Sequence, residues 1–379
     1  GPSALQPAGR AAQPTPGRQA AFRFAELFAG IGGFRLGLEA CGGECVLAAE
    51  VGTWAREIYA LNFGGPEARE LAGDVRRLEP ADLEPCDLLT AGFPCQPFTE
   101  QGGSSSRGAS GPRPGGFRDP RAMVFWHVPR LLRGLRPDQR PTALLLENVP
   151  GLLLTDVSWG PRASRAAAEA PSHGRPAPSP ARGAGLGPVL GALSACGYDL
   201  SWRVYDAGCV LPQLRPRLFI VGIRSDAPGK EEFEWPAMPD LHPRLGDVLH
   251  PPGEVDLEPY RLTAQQWAAV EGSVYFRRRP EHRLPPLEGK ANTVRGSYRS
   301  GYKLYSQFVP LPAQGPSDVP LRFLTPRECA RLQGFPDSFQ LTGPRAVPES
   351  SQYGAVGNAV PPPVVEHLAR ALTPVMAEG

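Results

Sequence analysis

The sequence predicts an α/β fold in which a parallel sheet is covered by helices on both faces. Strand-like apolar runs alternate with helix-like segments near the start of the chain, and this alternation is typical of parallel strands joined by helical crossovers. The strand-like runs cover 22–28, 44–50, 86–92, 142–146 and 217–223, and the first helix-like segments cover 35–41 and 54–62. With 379 residues, the chain has room for one large domain of this class and a smaller one.

Residues 1–20 precede this pattern, and the segments 101–118 and 158–188 interrupt it. Residues 1–20 are rich in Pro, Ala, Gly and Gln and contain no acidic residue, so we expect a disordered tail, with a targeting remnant or a tag as the alternatives. The main domain is expected to cover 21–235, with a disordered Pro/Ala/Gly/Arg-rich insertion at 158–188. Beyond it the sequence becomes proline-rich and irregular until helix signals return at 325–332 and 364–372.

Charge and cysteine usage exclude several classes of protein. The 40 basic and 38 acidic residues nearly cancel, so any surface for nucleic acid must be local. Seven cysteines, an odd number without a CxxC pair, favour reduced thiols in an intracellular protein over a disulfide scaffold. Cys41 and Cys45 lack a second ligand pair, so no metal site is predicted. No apolar stretch reaches the roughly 18 residues of a membrane span, so no membrane partner is expected.

A glycine turn at 28–33 follows the first strand and opens the first helix. Glycines there let a ligand approach the start of the helix closely. Glu50 ends the second strand, 20 residues after Gly30, a separation at which a carboxylate can reach ribose hydroxyls. Asp74 follows a third strand-like segment and could accept a hydrogen bond from an adenine amino group. The spacing fits a dinucleotide or S-adenosylmethionine, and Arg35 in place of a third glycine favours the latter.

A thiol and a carboxylate are predicted at neighbouring strand ends. Cys95 follows the strand-like run 86–92 and lies between Pro94 and Pro97, which stiffen the loop. Glu147 closes the run that begins at Thr142. A thiolate that adds to carbon 6 of cytosine makes carbon 5 nucleophilic, while a carboxyl group at the N3 edge offsets the developing charge. A buried target base must first be flipped out of the duplex, and the Gly/Ser-rich segment 101–118 could close over it.

The chain resembles the bacterial-type DNA cytosine-5 methyltransferases along most of its length. The similar segments, in the order of that family, are 28–33, Glu50 with Asp74, 92–98, 147–149, 213–217, 324–336 and 354–361. The resemblance implies a Rossmann-like adenosylmethionine-dependent methyltransferase sheet with a smaller, irregular target-recognition domain. That domain would cover 236–323, and 324–379 would return to complete the catalytic domain.

The resemblance also implies roles for individual residues. Cys95 would be the nucleophile, Glu147 would face the cytosine edge, Arg215 would contact the flipped base and Arg217 would support the site. The cofactor would be bound by Phe28, Gly30, Gly32, Gly33, Glu50, Val51, Asp74 and Asn358. The substrate would be bound by Gln96, Gln213, Lys290, Arg295 and Arg327.

A local basic cluster accompanies the expected recognition domain. The window 261–303 holds nine Lys/Arg and three acidic residues, with Tyr and Phe side chains between them. Basic residues interleaved with aromatics suit phosphate contacts and base reading, although a solvated loop would have a similar composition. We expect duplex DNA as the partner and a monomeric protein, with a companion restriction endonuclease as a further partner that the family resemblance admits.

Three competing functions differ in what they explain. A tRNA cytosine-5 methyltransferase would use the same catalytic residues, but the expanded basic segment favours DNA. A non-enzymatic relative would be expected to lose Cys95, Glu147 or the glycine turn, and all three are intact. A nicotinamide-dependent oxidoreductase would account for Gly30 and Glu50 but not for the Pro-Cys-Gln segment.

Overall fold

The central feature of the fold is a seven-stranded sheet. The protein is represented by a computed structural model that describes residues 20–64, 71–94, 122–153, 185–315 and 318–377. The strands of the sheet are β1 (Phe22–Leu27), β2 (Gly43–Ala49), β3 (Leu71–Ala72), β4 (Leu88–Ala91), β5 (Ala143–Asn148), β6 (Tyr198–Asp206) and β7 (Pro216–Arg224). They are arranged in the order β3-β2-β1-β4-β5-β7-β6. The predicted α/β class is confirmed.

The inner strands read as continuous apolar runs because both faces of the sheet are covered. Every residue of β4 and of β5 is buried. In the parallel pairing of these strands, Ala91 lies opposite Leu146. The C-terminal ends of β4 and β5 therefore lie at the same edge of the sheet, which is the edge predicted to carry the thiol and the carboxylate.

One strand departs from the predicted parallel arrangement. β7 runs antiparallel to both of its neighbours, β5 and β6. The connection 207–215 between β6 and β7 is too short for the helical crossover that a parallel pair requires. β6 was not predicted at all, although the alternation of Tyr198, Leu200, Trp202 and Val204 along it is a strand signal.

Nine helices cover the sheet and build the smaller region within the described ranges. They are α1 (Gly33–Glu39), α2 (Thr53–Phe63), α3 (His127–Gly134), α4 (Leu186–Ser194), α5 (Ala264–Glu271), α6 (Val274–Arg278), α7 (Pro326–Leu332), α8 (Glu349–Asn358) and α9 (Pro362–Ala377). α4 corrects the boundary of the expected insertion at 158–188, because residues 186–188 belong to this helix and Leu186 is buried. The rest of that insertion up to 184, residues 1–19 and the segment 101–118 lie outside the described residues.

The region 236–323 is less irregular than its composition indicates. It contains α5, α6 and a small antiparallel pair, β8 (Val309–Pro310) and β9 (Leu321–Arg322). Thr263 begins α5 with a capping box that includes Gln266, a start signal present in the sequence. Val270, Phe308 and Phe323 share one apolar core with Leu332 and Val356 of the return segment. The smaller region is therefore built jointly by 236–323 and the return segment.

The described part of the chain shows six free cysteines. Within that part, no group of three His, Cys, Asp or Glu side chains is arranged to hold a metal ion. No helix among the same residues is both long and apolar enough to cross a membrane.

Candidate active site

The glycine turn after β1 is held in a backbone conformation that favours glycine. Gly30 and Gly32 have φ angles of 58° and 84°, in the left-handed region where a β-carbon is disfavoured. A β-carbon on Gly32 would lie 2.2 Å from the ring of Phe63, and one on Gly33 would lie 2.2 Å from the carbonyl oxygen of Val360. The glycines therefore let α2 and the return segment approach the turn closely.

Glu50 faces this turn from the end of β2. Its carboxylate accepts hydrogen bonds from the amides of Gly30, at 2.8 Å, and Gly52, at 2.6 Å. Apart from the adjoining chain, no heavy atom of the described residues lies within 4 Å of the position that a β-carbon on Gly30 would occupy. Phe28 enters the turn with a positive φ of 58°, and Val51 next to Glu50 is 68% exposed. Open space and a carboxylate thus meet at the turn, and an exposed apolar residue directly follows the carboxylate; this arrangement suits a nucleoside-bearing ligand.

Asp74 lies just beyond β3 and caps a short 3-10 turn. Its carboxylate accepts from the backbone amide of Arg76, at 3.0 Å, and from the guanidinium of the same residue, at 2.7 Å. These hydrogen bonds lower the pKa of Asp74 to about 2. The side chain is therefore a fully ionised hydrogen-bond acceptor at neutral pH.

Glu147 lies near the end of β5 and is paired with an arginine of β7. The Nε of Arg217 lies 2.9 Å from its Oε1, and both side chains are nearly buried. Burial raises the pKa of Glu147, and the charges of Arg217 and Arg215 oppose the rise. A buried carboxyl group whose pKa is raised in this way can donate or accept a proton nearer to neutral pH than an exposed one.

Asn148 connects this carboxylate to the segment that leads to Cys95. Its Nδ2 donates a hydrogen bond of 3.1 Å to the carbonyl oxygen of Phe93, and its Oδ1 accepts from the amide of Val149 at 2.9 Å. Cys95 and Gln96 lie outside the described residues. The chain is nevertheless fixed next to Glu147 at a point two residues before Cys95.

Arg215 departs from its expected surroundings, whereas Arg217 lies beside the carboxylate that it was expected to support. Arg217 is the partner of Glu147, whereas Arg215 is 1% exposed and donates to three backbone carbonyls. These belong to Val294, at 3.1 Å, Gly357, at 3.1 Å, and Ala359, at 2.7 Å. The expected contact of Arg215 with a flipped base is therefore not supported by its surroundings.

Gln213 is also occupied by the protein itself. Its Oε1 accepts from the amide of Val294 at 2.6 Å, its Nε2 donates to the carbonyl of Leu332 at 3.1 Å, and its side chain is fully buried. A side chain without exposed surface does not reach a substrate in this conformation. Gln213 instead connects the β6–β7 loop to the recognition region and to α7, which corrects its expected role in substrate binding.

Asn358 and Arg295 lie on opposite sides of one seam, the close contact of the segments 295–296 and 357–358. A β-carbon on Gly296 would lie 3.0 Å from Oδ1 of Asn358, and one on Gly357 would lie 2.3 Å from the carbonyl carbon of Arg295. Both Asn358 and Arg295 are exposed, and the Arg295 guanidinium lies 4.9 Å from the ring centroid of Tyr305. The seam thus places an expected cofactor residue beside an expected substrate residue.

The two remaining expected substrate residues contact nearby backbone. Lys290 donates to the carbonyl of Pro243 at 3.3 Å. Arg327 donates to the carbonyls of Pro336, at 3.3 Å, and Phe339, at 2.6 Å. Their hydrogen bonds in the described part of the chain stabilise loops of the smaller region, so the structure does not bring them to Glu147.

Other residues that shape the site were given no role by the sequence. Asn148 was expected only as a member of the segment 147–149, yet it holds the Phe93 carbonyl. Asp206 accepts hydrogen bonds from the amides of Gly208, at 2.9 Å, and Arg215, at 2.7 Å. An Asp two residues before a glycine is a turn signal that could have identified Asp206. Away from the strand ends, Glu26 in the middle of β1 is also a fully buried carboxyl group, and burial raises its pKa to about 8.

Solved structures confirm the architecture. A methyltransferase of Entamoeba histolytica, EhMeth, superimposes with a TM-score of 0.66 at 18% identity, over 94% of this chain and 98% of the other. The Dnmt2 methyltransferase of S. pombe gives a TM-score of 0.62 at 20% identity, over 93% and 99% of the two chains. At these identities the likeness shows the fold.

Sequence relatives identify the family. The Type II methyltransferase M.DsaV of Dactylococcopsis salina is 33% identical over 92% of this chain and 85% of its own length. M.NlaX of Neisseria lactamica, also a Type II methyltransferase, is 30% identical over 92% and 95%. Residues 22–159 and 180–373 match the family described as C-5 cytosine-specific DNA methylase. The chain belongs to the C-5 cytosine-specific DNA methylase family and is a DNA cytosine-5 methyltransferase.

Proposed function

We propose that the protein transfers a methyl group from S-adenosyl-L-methionine to carbon 5 of a cytosine flipped out of duplex DNA, through a covalent adduct with Cys95. The observation that carries this proposal is the edge of the sheet where β4 and β5 end. There Asn148 holds the Phe93 carbonyl beside the Glu147–Arg217 pair. The nucleophile segment and the carboxyl group therefore start from adjacent, fixed points.

In the proposed reaction, the Cys95 thiolate adds to carbon 6 of the ring, and the electron density moves to carbon 5. Glu147 hydrogen-bonds the N3 edge and stabilises the negative charge that develops during the addition. Arg217, 2.9 Å from Glu147, fixes the direction of the carboxyl group. The sulfonium of S-adenosylmethionine supplies the electrophilic methyl group. A base then removes the proton from carbon 5, and the thiolate leaves carbon 6.

The cofactor is proposed to occupy the open space at the glycine turn. Gly30 leaves room for a close approach, and Glu50 lies where a carboxylate could exchange its backbone hydrogen bonds for ribose hydroxyls. Asp74 offers an ionised acceptor for an adenine amino group, and Val51 an exposed apolar surface. Asn358, at the end of α8, is proposed to close the pocket from the return segment.

The DNA-facing cations are proposed to be few. Among the nine Lys/Arg of the 261–303 window, Arg283 is buried against three backbone carbonyls, and Arg261 is paired with Glu258. Arg299 lies 4.3 Å from the ring centroid of Phe323. Most of the window therefore stabilises the recognition region itself.

The consecutive arginines at 277–279 differ from these three. All three are exposed, and the side chains of Arg278 and Arg279 make no hydrogen bond or ion pair with any residue in the described ranges. A chain of contacts connects this segment to the active-site edge. The carbonyl of His282 accepts from Asn292 at 3.0 Å, and Thr293 donates to the carbonyl of Leu214 at 2.7 Å. We therefore assign phosphate contacts to these arginines.

Two finer points about partners belong to the same proposal. The protein is proposed to act as an intracellular monomer, because one chain supplies both regions of the site. A companion restriction endonuclease is supported by the similarity of the chain to Type II methyltransferases.

The test is transfer of a labelled methyl group from S-adenosylmethionine to mixed-sequence duplex DNA and, in parallel, to total tRNA. We expect label in DNA, recovered as 5-methyl-2′-deoxycytidine, and none with Cys95→Ala. Label on tRNA alone would overturn the DNA substrate while keeping the chemistry. Turnover by Cys95→Ala would overturn the covalent mechanism.

A further inference from the structure

We propose that Arg215 is a positioning residue that holds the return segment against the cofactor turn, and that it does not contact the target base. This inference rests on the proposed function, because it assigns the wall of the proposed cofactor pocket. Arg215 lies two residues from Arg217, the partner of Glu147, yet it is buried among backbone carbonyls.

The carbonyls that Arg215 contacts belong to the end of a helix. Gly357 and Ala359 lie at the C-terminal end of α8, which ends at Asn358. The last carbonyls of a helix lack partners within the helix and carry a partial negative charge. The Arg215 guanidinium donates to both of them through Nη2, at 3.1 and 2.7 Å. It therefore acts as a cationic cap on the end of α8.

The residue after Ala359 contacts both the cofactor turn and the nucleophile segment. The carbonyl oxygen of this residue, Val360, lies 2.2 Å from where a β-carbon on Gly33 would be. The side chain of Val360 also lies 3.6 Å from the corresponding position on Gly92, which directly follows β4. A displacement of Ala359 would therefore be transmitted to both segments.

Two buried amides hold the same structural unit. Gln213, in the loop that carries Arg215, binds Val294 and Leu332. Gln333, fully buried at the end of α7, donates to the carbonyl of Val356 in α8 at 3.1 Å. Arg215 and these two amides form a polar hub between the sheet, the recognition region and the return segment. Buried polar groups of this kind fix a unique arrangement, because leaving any of them unpaired is costly.

The experiment measures the binding of S-adenosylhomocysteine, the demethylated form of the cofactor, to the full chain by calorimetry in the absence of DNA. Arg215→Lys retains the charge but loses the planar fork that serves several carbonyls at once. We expect its dissociation constant to rise about 10-fold or more, a loss comparable to that of charged hydrogen bonds. Arg217→Lys is the matched control and should bind S-adenosylhomocysteine as the wild type does, because the ion pair of Arg217 is with Glu147 of β5.

The outcomes separate this inference from the proposed function. Wild-type affinity in a folded Arg215→Lys variant would overturn the positioning role and favour a contact with the base. If Arg215→Lys does not fold, Gln333→Met decides: we expect a roughly 3-fold weaker binding from the loss of its hydrogen bond to α8, and unchanged binding would overturn the hub. Failure of the wild type to bind S-adenosylhomocysteine would instead overturn the proposed cofactor pocket.

Discussion

The sheet edge and the recognition region use charged side chains in different ways. At the sheet edge, Glu147 and Arg217 are paired with each other near the place where β4 and β5 end. In the recognition region, cations such as Arg283 and Arg261 are bound to backbone carbonyls or carboxylates of the same region. Position at a strand end therefore identifies a reactive side chain, whereas a count of charges in an irregular segment overestimates the surface available to DNA.

The largest effect is expected from a change at the sheet edge. Glu147→Gln keeps a hydrogen-bond donor near N3 but cannot exchange a proton, so we expect kcat to fall by about 10²- to 10⁴-fold. In the wild type, activity that needs the protonated carboxyl group should decline as the pH rises through the raised pKa of Glu147. That decline should be absent from the residual activity of the variant. The measurement is methyl transfer to DNA across a pH series.

Glu26→Gln is the matched control for that variant. Glu26 is fully buried in the same sheet, and its pKa of about 8 means that it is mostly protonated at neutral pH. The same chemical change there should leave kcat within a few-fold of the wild type. Equal losses in both variants would show that Glu147 acts through the stability of the sheet and not through the reaction.

A smaller effect, on DNA binding, is expected from a change in the recognition region. Replacing Arg277, Arg278 and Arg279 by Gln should weaken duplex binding and reduce the dependence of the dissociation constant on salt. Each lost phosphate contact lowers the slope of log Kd against log salt concentration by about 0.9. We therefore expect this slope to be smaller by about 2 to 3 in the triple variant. The measurement is the dissociation constant for duplex DNA at a series of salt concentrations.

Arg261→Gln controls for the general loss of charge in the same window. Arg261 is paired with Glu258 and donates to the carbonyls of Val319 and Pro312, so its replacement should leave the slope nearly unchanged. An unchanged slope in the triple variant would contradict the assignment. A large change in the control would show that charge count, and not exposure, governs binding.

The sequence predicts the elements of the sheet edge well because local rules determine them. The apolar runs before Cys95 and Glu147 became β4 and β5, since a buried strand needs a continuous apolar sequence. The glycines at 30 and 32 signalled the positive φ angles of the turn. These features depend on residues within a few positions of one another.

Features that depend on distant residues were not predicted. The direction of β7 is determined by the short loop after β6, and the partners of Arg215 lie 79, 142 and 144 residues away in the sequence. At the level of sequence, the family resemblance implied a base contact for Arg215 and a supporting role for Arg217, two neighbours in one motif. Only the folded chain distinguishes the residue that caps α8 from the residue that pairs with Glu147.

The most direct test of the central claim uses DNA in which cytosine carbon 5 carries fluorine. Fluorine cannot leave as a proton does, so the bond between the Cys95 sulfur and carbon 6 should persist after methyl transfer. We predict a complex of protein and DNA that resists denaturation when S-adenosylmethionine is present, and none with Cys95→Ala. A protein that methylates normal DNA yet forms no such complex, or a Cys95→Ala variant that still forms it, would contradict the account.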